Sequence, residues 1–312
     1  MPRLTVVVPA YNESAVLDAF HARLSRVLDE LALDCEVLYV DDGSTDSTWQ
    51  LISALTARDG RTGAIKLSRN FGKEAAMTAG LDQVDADAAI VIDADLQDPP
   101  ELIPALVERW REGFDVVYAT RSARQGETGF KRLTSALFYR SMDRVSDIHV
   151  PRDTGDFRLL SRRALDALHQ LRERQRFMKG LFTWIGYRQT AVYYLREPRQ
   201  AGTTKWNYWR LLQLAIEGFT SFSTAPLRLA TWVGLAASLM SFLFGLWVFG
   251  KALLFGDPVQ GYPSLMVAIL FIGGVQLLAL GVIGEYLGRN YAESKQRPLY
   301  FVEEQRPARE KR

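Results

Sequence analysis

The run Ile90–Asp98, IVIDADLQD, carries an aliphatic stretch straight into three carboxylates and an amide. Two of those acids stand one residue apart, and like charges that close repel unless something positive is held there. If the chain stays extended past Ile92, side chains alternate with period two and Asp93, Asp95 and Gln97 share a face. Oxygen donors gathered at a strand end suit a hard cation such as Mg²⁺ or Mn²⁺, which keeps waters and completes its shell from substrate phosphates. A phosphate-bearing substrate is the chemistry this pattern points to. Capping is the competing use of such acids. DPPEL, with Pro99 and Pro100, reads as a helix start, and that role goes to Asp98.

Three other apolar runs end in the same manner, at PAYNES, DDGSTD and SRNFGK. Carboxylates at such ends accept hydrogen bonds from ribose hydroxyls or base N–H groups, although acids, glycines and serines also fill ordinary turns. From Leu4 to about Asp115, short β-branched runs (TVVVPA, CEVLYVDD, AIKLSR, AAIVIDAD, DVVYATR) alternate with helical stretches at 15–31, 46–57, 72–82 and 100–112. Continuous apolar strands separated by helices indicate an α/β domain with a mostly parallel sheet covered on both faces. Ligands of such sheets sit beyond the carboxyl ends of the strands, where these polar runs fall.

The last third changes character. Leu229–Gly250 and Tyr262–Gly284 contain no charge, and each is long enough to cross a hydrocarbon core at about 1.5 Å per residue, which predicts two transmembrane helices. Arg228 on one side and Arg289, Lys295, Arg297, Arg306, Arg309, Lys311 and Arg312 on the other put both ends in the cytoplasm by the positive-inside bias. Before the first span, Trp206, Tyr208 and Trp209 are interleaved with apolar residues, as in a helix lying at the headgroup level. The domains expected are 1–205, a cytoplasmic catalytic domain; 206–228, an amphipathic juxtamembrane segment; 229–288, two membrane helices; and 289–312, a basic tail.

Composition narrows the rest. With 312 residues, 48% of them hydrophobic and 24% charged, the chain has the core of a folded protein, and a net charge of +2 gives no general case for nucleic-acid binding. The single Cys35 excludes an internal disulfide, and His21, His149 and His169 lack metal-ligand spacing. LTVVVPAYNE is too short an apolar run for a signal peptide and reads as a first strand.

PAYNE, DDGST, DADLQDPPE and TGDFRLLSR, in that order and followed by two apolar spans, resemble the family-2 glycosyltransferases of GT-A (Rossmann-like) fold. The likeness is to the branch that moves a sugar from a nucleotide to a polyprenyl phosphate, which includes dolichyl-phosphate mannose synthase and bacterial undecaprenyl-phosphate glucosyltransferases. It implies that Pro9, Tyr11 and Glu13 line the nucleotide, that Asp41 meets the base or ribose, and that Asp93 is the first DxD acid, on the sugar or ribose side. Asp95 and Gln97 match the ligands of Mg²⁺ or Mn²⁺, and Asp156 matches the candidate catalytic carboxylate. Arg121 falls where a basic residue meets the acceptor phosphate. RQAGTTKW matches the family's basic loop, so Arg199, Thr204 and Lys205 are expected to face phosphates.

The reaction implied is inverting displacement at the anomeric carbon by an oxygen of the lipid phosphate, with a nucleoside diphosphate leaving. A phosphate monoester has a second pKa of about 6 and is largely dianionic at neutral pH, so Asp156 is expected to orient the acceptor and the cationic loop rather than to abstract a proton. Arg124, Lys131, Arg132 and Arg140 read as a solvated basic helix face, in an amphipathic segment (124–150) placed near the acceptor entrance. UDP is the first donor nucleotide expected, with GDP second. Further implications are a multi-pass inner-membrane protein, a homo-oligomer, and a separate flippase and downstream glycosyltransferase.

Two rival readings are a synthase that adds sugar to a glycan or lipid hydroxyl and a non-catalytic nucleotide-binding membrane scaffold. The first generally carries a QxxRW-type motif, and RERQRFMKGLFTWIGY has Arg176 and Trp184 without that spacing. The second gives no reason to keep the acid cluster. A dinucleotide oxidoreductase is disfavoured because no G-x-G-x-x-G follows the first strand.

Overall fold

The computed structural model describes residues 1–121, 154–174, 176–194, 225–255 and 261–308. It divides into two units, which are described separately: one comprises 1–140, 148–207 and 297–312, the other 141–147 and 208–296.

The first unit is built on an eight-stranded sheet: β1 (Arg3–Ala10), β2 (Asp34–Asp41), β3 (Thr62–Leu67), β4 (Ala88–Val91), β5 (Val116–Arg121), β6 (Thr154–Ser161), β7 (Gln189–Tyr194) and β8 (Val302–Arg306). Their order is β7-β5-β6-β4-β1-β2-β3-β8. β1 is buried from Leu4 to Ala10, as a strand covered on both faces must be. Its neighbours β2 and β4 run parallel to it, and β3 runs parallel to β2. Helices α1 (Leu17–Glu30), α2 (Thr48–Arg58) and α4 (Ile103–Arg111) close one face. There Phe20, Leu24, Val27 and Leu28, one stripe of α1, pack with Tyr39, Ile52 and Ile103 in the main core. α3 (Lys73–Asp82), α5 (Arg162–Gln170) and α6 (Met178–Trp184) lie on the other face. α3 approaches so closely that a Cβ at Gly80 would stand 2.3 Å from Val7 Cγ1. Only glycine lets that helix settle onto β1 and β2.

The five predicted strands and four predicted helices of the first 121 residues all form. The sheet is mixed rather than mostly parallel. β6, which alternation alone did not single out, runs antiparallel between β4 and β5. That insertion matters for the site, because β4 and β6 pair Val91 with Arg158. Continuing the register two residues brings Asp156, at the start of β6, opposite Asp93, just past the end of β4.

Residues 302–306 are not part of a free tail. They form the eighth strand, antiparallel to β3 at the sheet edge. The joint is fixed by the Ser68 amide donating to the Phe301 carbonyl (2.9 Å), by Lys66 with Glu303 (2.9 Å) and by the Tyr300 hydroxyl donating to Asp82 (2.8 Å).

The second unit contains two long helices, α7 (Ala225–Phe255) and α8 (Tyr262–Ser294), which pack against each other. Trp232, Leu239, Phe242, Leu246 and Trp247 of α7 and Ile269, Leu277, Leu280 and Ile283 of α8 are exposed. An uncovered apolar surface of that extent marks a lipid or protein contact. Among the described residues, Phe271–Ser294 is long and apolar enough to cross a membrane, and Ala230–Phe244, within the 31-residue α7, is a shorter apolar stretch. Residues 206–224 of the expected juxtamembrane segment (206–228) and the amphipathic segment 124–150 lie outside the described residues, while 225–228 begin α7.

Candidate active site

The four predicted loops meet at the carboxyl ends of β1, β2, β3 and β4. Pro9 is buried, next to last in β1, followed by half-exposed Tyr11 and by Asn12 in the left-handed region (φ 56°). Asn12 Oδ1 accepts the Thr45 amide at 2.9 Å, and the Asn12 amide donates to Ser44 Oγ at 3.0 Å. The Glu13 amide donates to Thr48 Oγ1, and Ser14 Oγ donates to Asp46. Side chain-to-backbone bonds of this kind turn two separate loops into one wall. Asp41 is fully buried at the end of β2, with the Ser44 amide 3.4 Å from each carboxylate oxygen, and burial raises its pKa. Asp42 is tied instead to the next loop, accepting the Phe71 amide at 2.8 Å and the Gly72 amide at 3.0 Å.

The DxD run is not extended. β4 ends at Val91, and the backbone turns through Leu96 at φ 59°. Asp95 Oδ1 accepts the Gln97 amide at 3.1 Å, the side chain-to-backbone turn that short acids favour. The expected common face of Asp93, Asp95 and Gln97 is therefore replaced by a turn in which Asp93 goes its own way. Asp98 does not cap the following helix. It is buried and accepts the Tyr194 hydroxyl from the end of β7, and the short 3₁₀ turn at Pro100–Leu102 has no side-chain cap. Proline already supplies the fixed φ and missing donor that a helix start needs, which leaves Asp98 free for Tyr194.

The positive charge demanded by the acids is Lys73, the first residue of α3. Its Nζ lies 2.6 Å from Asp93 Oδ2 and 2.5 Å from Asp156 Oδ2. Sequence reasoning omitted it, although SRNFGK was among the polar runs marked for attention. Glycine-lysine after an apolar run was the available signal.

Around this bridge stand three more charged groups that were also missed. Glu74 accepts the Met178 amide. Lys179, on α6, faces Asp156 and loses basicity, chiefly through burial. Arg158 is 3% exposed, stacks on Phe182 at 4.0 Å and donates to the Gly155 carbonyl. Arg158 stands two residues after Asp156 on one strand, so its place on the same face was legible from period two.

The electrostatics divide the acids. Burial works against the charge on Asp156, yet Lys73, Lys179 and Arg158 overcome it and hold the carboxyl at about 2. Burial dominates at Asp93, whose pKa rises despite Lys73. At Glu74, burial and then the Asp156 charge push the pKa up to about 7. Burial lowers Arg158 to about 10.

A divalent metal fits two of these residues. Gln97 is 3% exposed and its buried Nε2 has no hydrogen-bond partner among the described residues, an orphaned polar atom two residues from Asp95. Asp95 keeps one oxygen beyond the turn bond. Two hard donors leave the rest of a cation's shell to water and phosphate. Among the described residues no group of three or more acidic, histidine or cysteine side chains gathers as a metal cage.

Arg121 ends β5, in register with Tyr194 of β7. Arg199, Thr204 and Lys205 lie outside the described residues.

Residues 5–168 match glycosyl transferase family 2, and residues 225–289 match the GtrB C-terminal hairpin. The chain is a family 2 glycosyl transferase. An uncharacterized glycosyltransferase of Synechocystis is 52% identical to this transferase over 299 residues, 96% of this chain and 94% of that one. The bactoprenol glucosyl transferase of Shigella phage SfV is 44% identical, covering 97% and 99%. A prophage bactoprenol glucosyl transferase homologue of Escherichia coli K12 is 43% identical, covering 96% and 98%. Among solved structures, glucosyl-3-phosphoglycerate synthase of Mycobacterium tuberculosis, in complex with Mn²⁺, UDP-glucose and phosphoglyceric acid, is 21% identical over 70% of this chain and 78% of that one, with a TM-score of 0.47.

Proposed function

We propose that this transferase moves a sugar from a nucleotide sugar, UDP-glucose or a related UDP-sugar, to a polyprenyl phosphate at the cytoplasmic face of the membrane. The observation that carries this reading is the meeting of Asp93, Lys73 and Asp156 beside the DxD turn. One ammonium holds both carboxylates in a single site; taken as a donor-side and an acceptor-side acid, they would let two substrates meet there. Relatives named as bactoprenol glucosyl transferases, aligned through the hairpin as well as the catalytic domain, favour a lipid phosphate over a soluble acceptor.

Asp95 and Gln97 would hold Mg²⁺ or Mn²⁺, whose charge offsets the negative charge developing on the leaving diphosphate. Pro9, Tyr11, Glu13 and Asp41 line the nucleotide; Arg121, Arg199, Thr204 and Lys205 receive the phosphates. Asp156, held ionised, orients the acceptor and leaves the lipid phosphate to attack in its own dianionic form.

A two-crossing hairpin is part of the proposal. Strands on both sides of the helical segment, β7 before it and β8 after it, belong to one sheet. A segment that leaves and rejoins one sheet must cross a membrane an even number of times, which supports two crossings over one.

The test is transfer of labelled sugar from a panel of UDP- and GDP-sugars to undecaprenyl phosphate, with Mg²⁺ or Mn²⁺, by the full chain and by Asp95→Ala. A labelled, acid-labile lipid that requires both metal and Asp95 supports the reading. Nucleotide binding with no transfer to any lipid phosphate rejects it.

A further inference from the structure

Lys73 belongs to neither the nucleotide wall nor the metal turn, yet it touches both acids on which the reaction turns. We propose that Lys73 is a positioning residue for sugar transfer: its ammonium clamps Asp93 to Asp156 and so fixes the gap between donor sugar and acceptor phosphate. The inference rests on the proposed function for the identity of the two substrates.

Three elements contribute to the clamp. Asp93 follows β4, Asp156 begins β6, and the sheet register brings them opposite each other. The cation arrives from a third element, and its backbone is fixed before it reaches them. Gly72, at φ 98°, turns the chain into α3 in a conformation that a side chain would resist. Asp42 holds the amides of Phe71 and Gly72. The Phe71 ring lies against the Arg69 guanidinium (4.0 Å) and the Phe301 ring (6.3 Å), and the Ser68 amide donates to the Phe301 carbonyl. Lys73 is thus anchored from both β2 and β8 while its side chain remains 42% exposed.

The carboxylates it holds are more sheltered, 27% exposed at Asp93 and 14% at Asp156, so loss of the ammonium lowers stability as well as rate. Turnover of the folded variant is what separates the two roles, because catalysis is sensitive to small errors in the spacing of reacting groups. Without the ammonium, Asp93 loses the one counter-charge within ion-pair distance among the described residues, while Asp156 keeps the attraction of Lys179 and Arg158. The two carboxylates then repel across the space that the transfer must bridge.

The experiment uses the full chain in detergent with donor and undecaprenyl phosphate, comparing wild type, Lys73→Met, Lys73→Arg, Asp156→Asn and the Lys73→Met/Asp156→Asn pair. Lys73→Met should lower kcat at least about 30-fold while donor KM stays within about three-fold, and Lys73→Arg should fall between it and wild type. The double variant should be no slower than the slower single variant, because both act on one clamp. A kcat for Lys73→Met within about three-fold of wild type, or a double variant that multiplies both losses, overturns the proposal. A donor KM that rises as steeply as kcat falls also overturns it, making Lys73 a phosphate ligand. If Lys73→Met does not fold, Lys73→Arg decides, and an unchanged kcat in that variant rejects the clamp. A wild-type chain inert toward every donor rejects the proposed function instead. The clamp is then read from thermal midpoints of the same variants, coupled shifts supporting it and additive shifts rejecting it.

Discussion

Replacing Asp156 by asparagine keeps the shape of the side chain and removes its charge, which separates orientation from proton abstraction. Lys73, Lys179 and Arg158 hold this carboxyl at about 2 against the cost of its burial. A phosphate monoester has its second pKa at about 6. Moving the acceptor's last proton onto Asp156 therefore runs about four pKa units uphill, or about 5 kcal/mol. A general base works best with a pKa near the operating pH, and Asp156 is far from it. The acid limb of kcat/KM for the lipid phosphate should consequently belong to the acceptor, with a midpoint near 6 in wild type and Asp156→Asn alike. The plateau of the variant should be lower, by about 10- to 100-fold, as expected when an orienting contact is lost. Initial rates from pH 5 to 8.5, at saturating donor and subsaturating lipid phosphate, measure both. A midpoint that moves by more than about one unit in the variant, or a defect recovered at high pH, would refute the reasoning and make Asp156 the base.

Asp95→Ala should abolish the dependence of turnover on Mn²⁺ along with about 100-fold or more of the rate, read from a metal titration of both proteins; retained metal activation would remove Asp95 from the ligand set. Burial, and then the Asp156 charge, raise Glu74 from its ordinary value of 4.5 to about 7. The folded state therefore binds the proton more tightly, and stability falls as pH rises from about 4.5 to 7, by at most about 3 kcal/mol. Thermal midpoints at pH 5 and pH 8 should differ in wild type and converge in Glu74→Gln. Gly80→Ala puts a Cβ 2.3 Å from Val7 Cγ1 and should destabilise the catalytic domain by about 1–3 kcal/mol, lowering its thermal midpoint.

Local rules carried the first 121 residues well, because continuous apolar strands and helices one turn apart in pattern are properties of neighbouring residues. The mixed sheet is not such a property. TGDFRLLS reads as a plausible strand, but its antiparallel insertion between β4 and β5 is decided by packing far along the chain. The same separation concealed the clamp. IVIDADLQD announced that a cation was needed, yet nothing near it in sequence named Lys73, twenty residues earlier. Asp98 was assigned a cap on local grounds and instead meets Tyr194, 96 residues away. The motif resemblance supplied Asp93 and Asp156 as separate items of chemistry, and only the strand register brought them together.

The eighth strand gives the chain an order of assembly. β3 is complete by Leu67, but its partner β8 begins at Val302, so the nascent domain carries an open sheet edge until the helical hairpin has been synthesised. During that interval the Ser68 amide lacks its carbonyl and Phe71 lacks the Phe301 ring. The loop that aims Lys73 is thus finished after α7 and α8 have left the ribosome, and late docking of this kind is slow because the two strands are so far apart in sequence. Under the proposed function, a catalytic domain that completes itself only once α7 and α8 exist would not begin to consume nucleotide sugar away from the lipid phosphate.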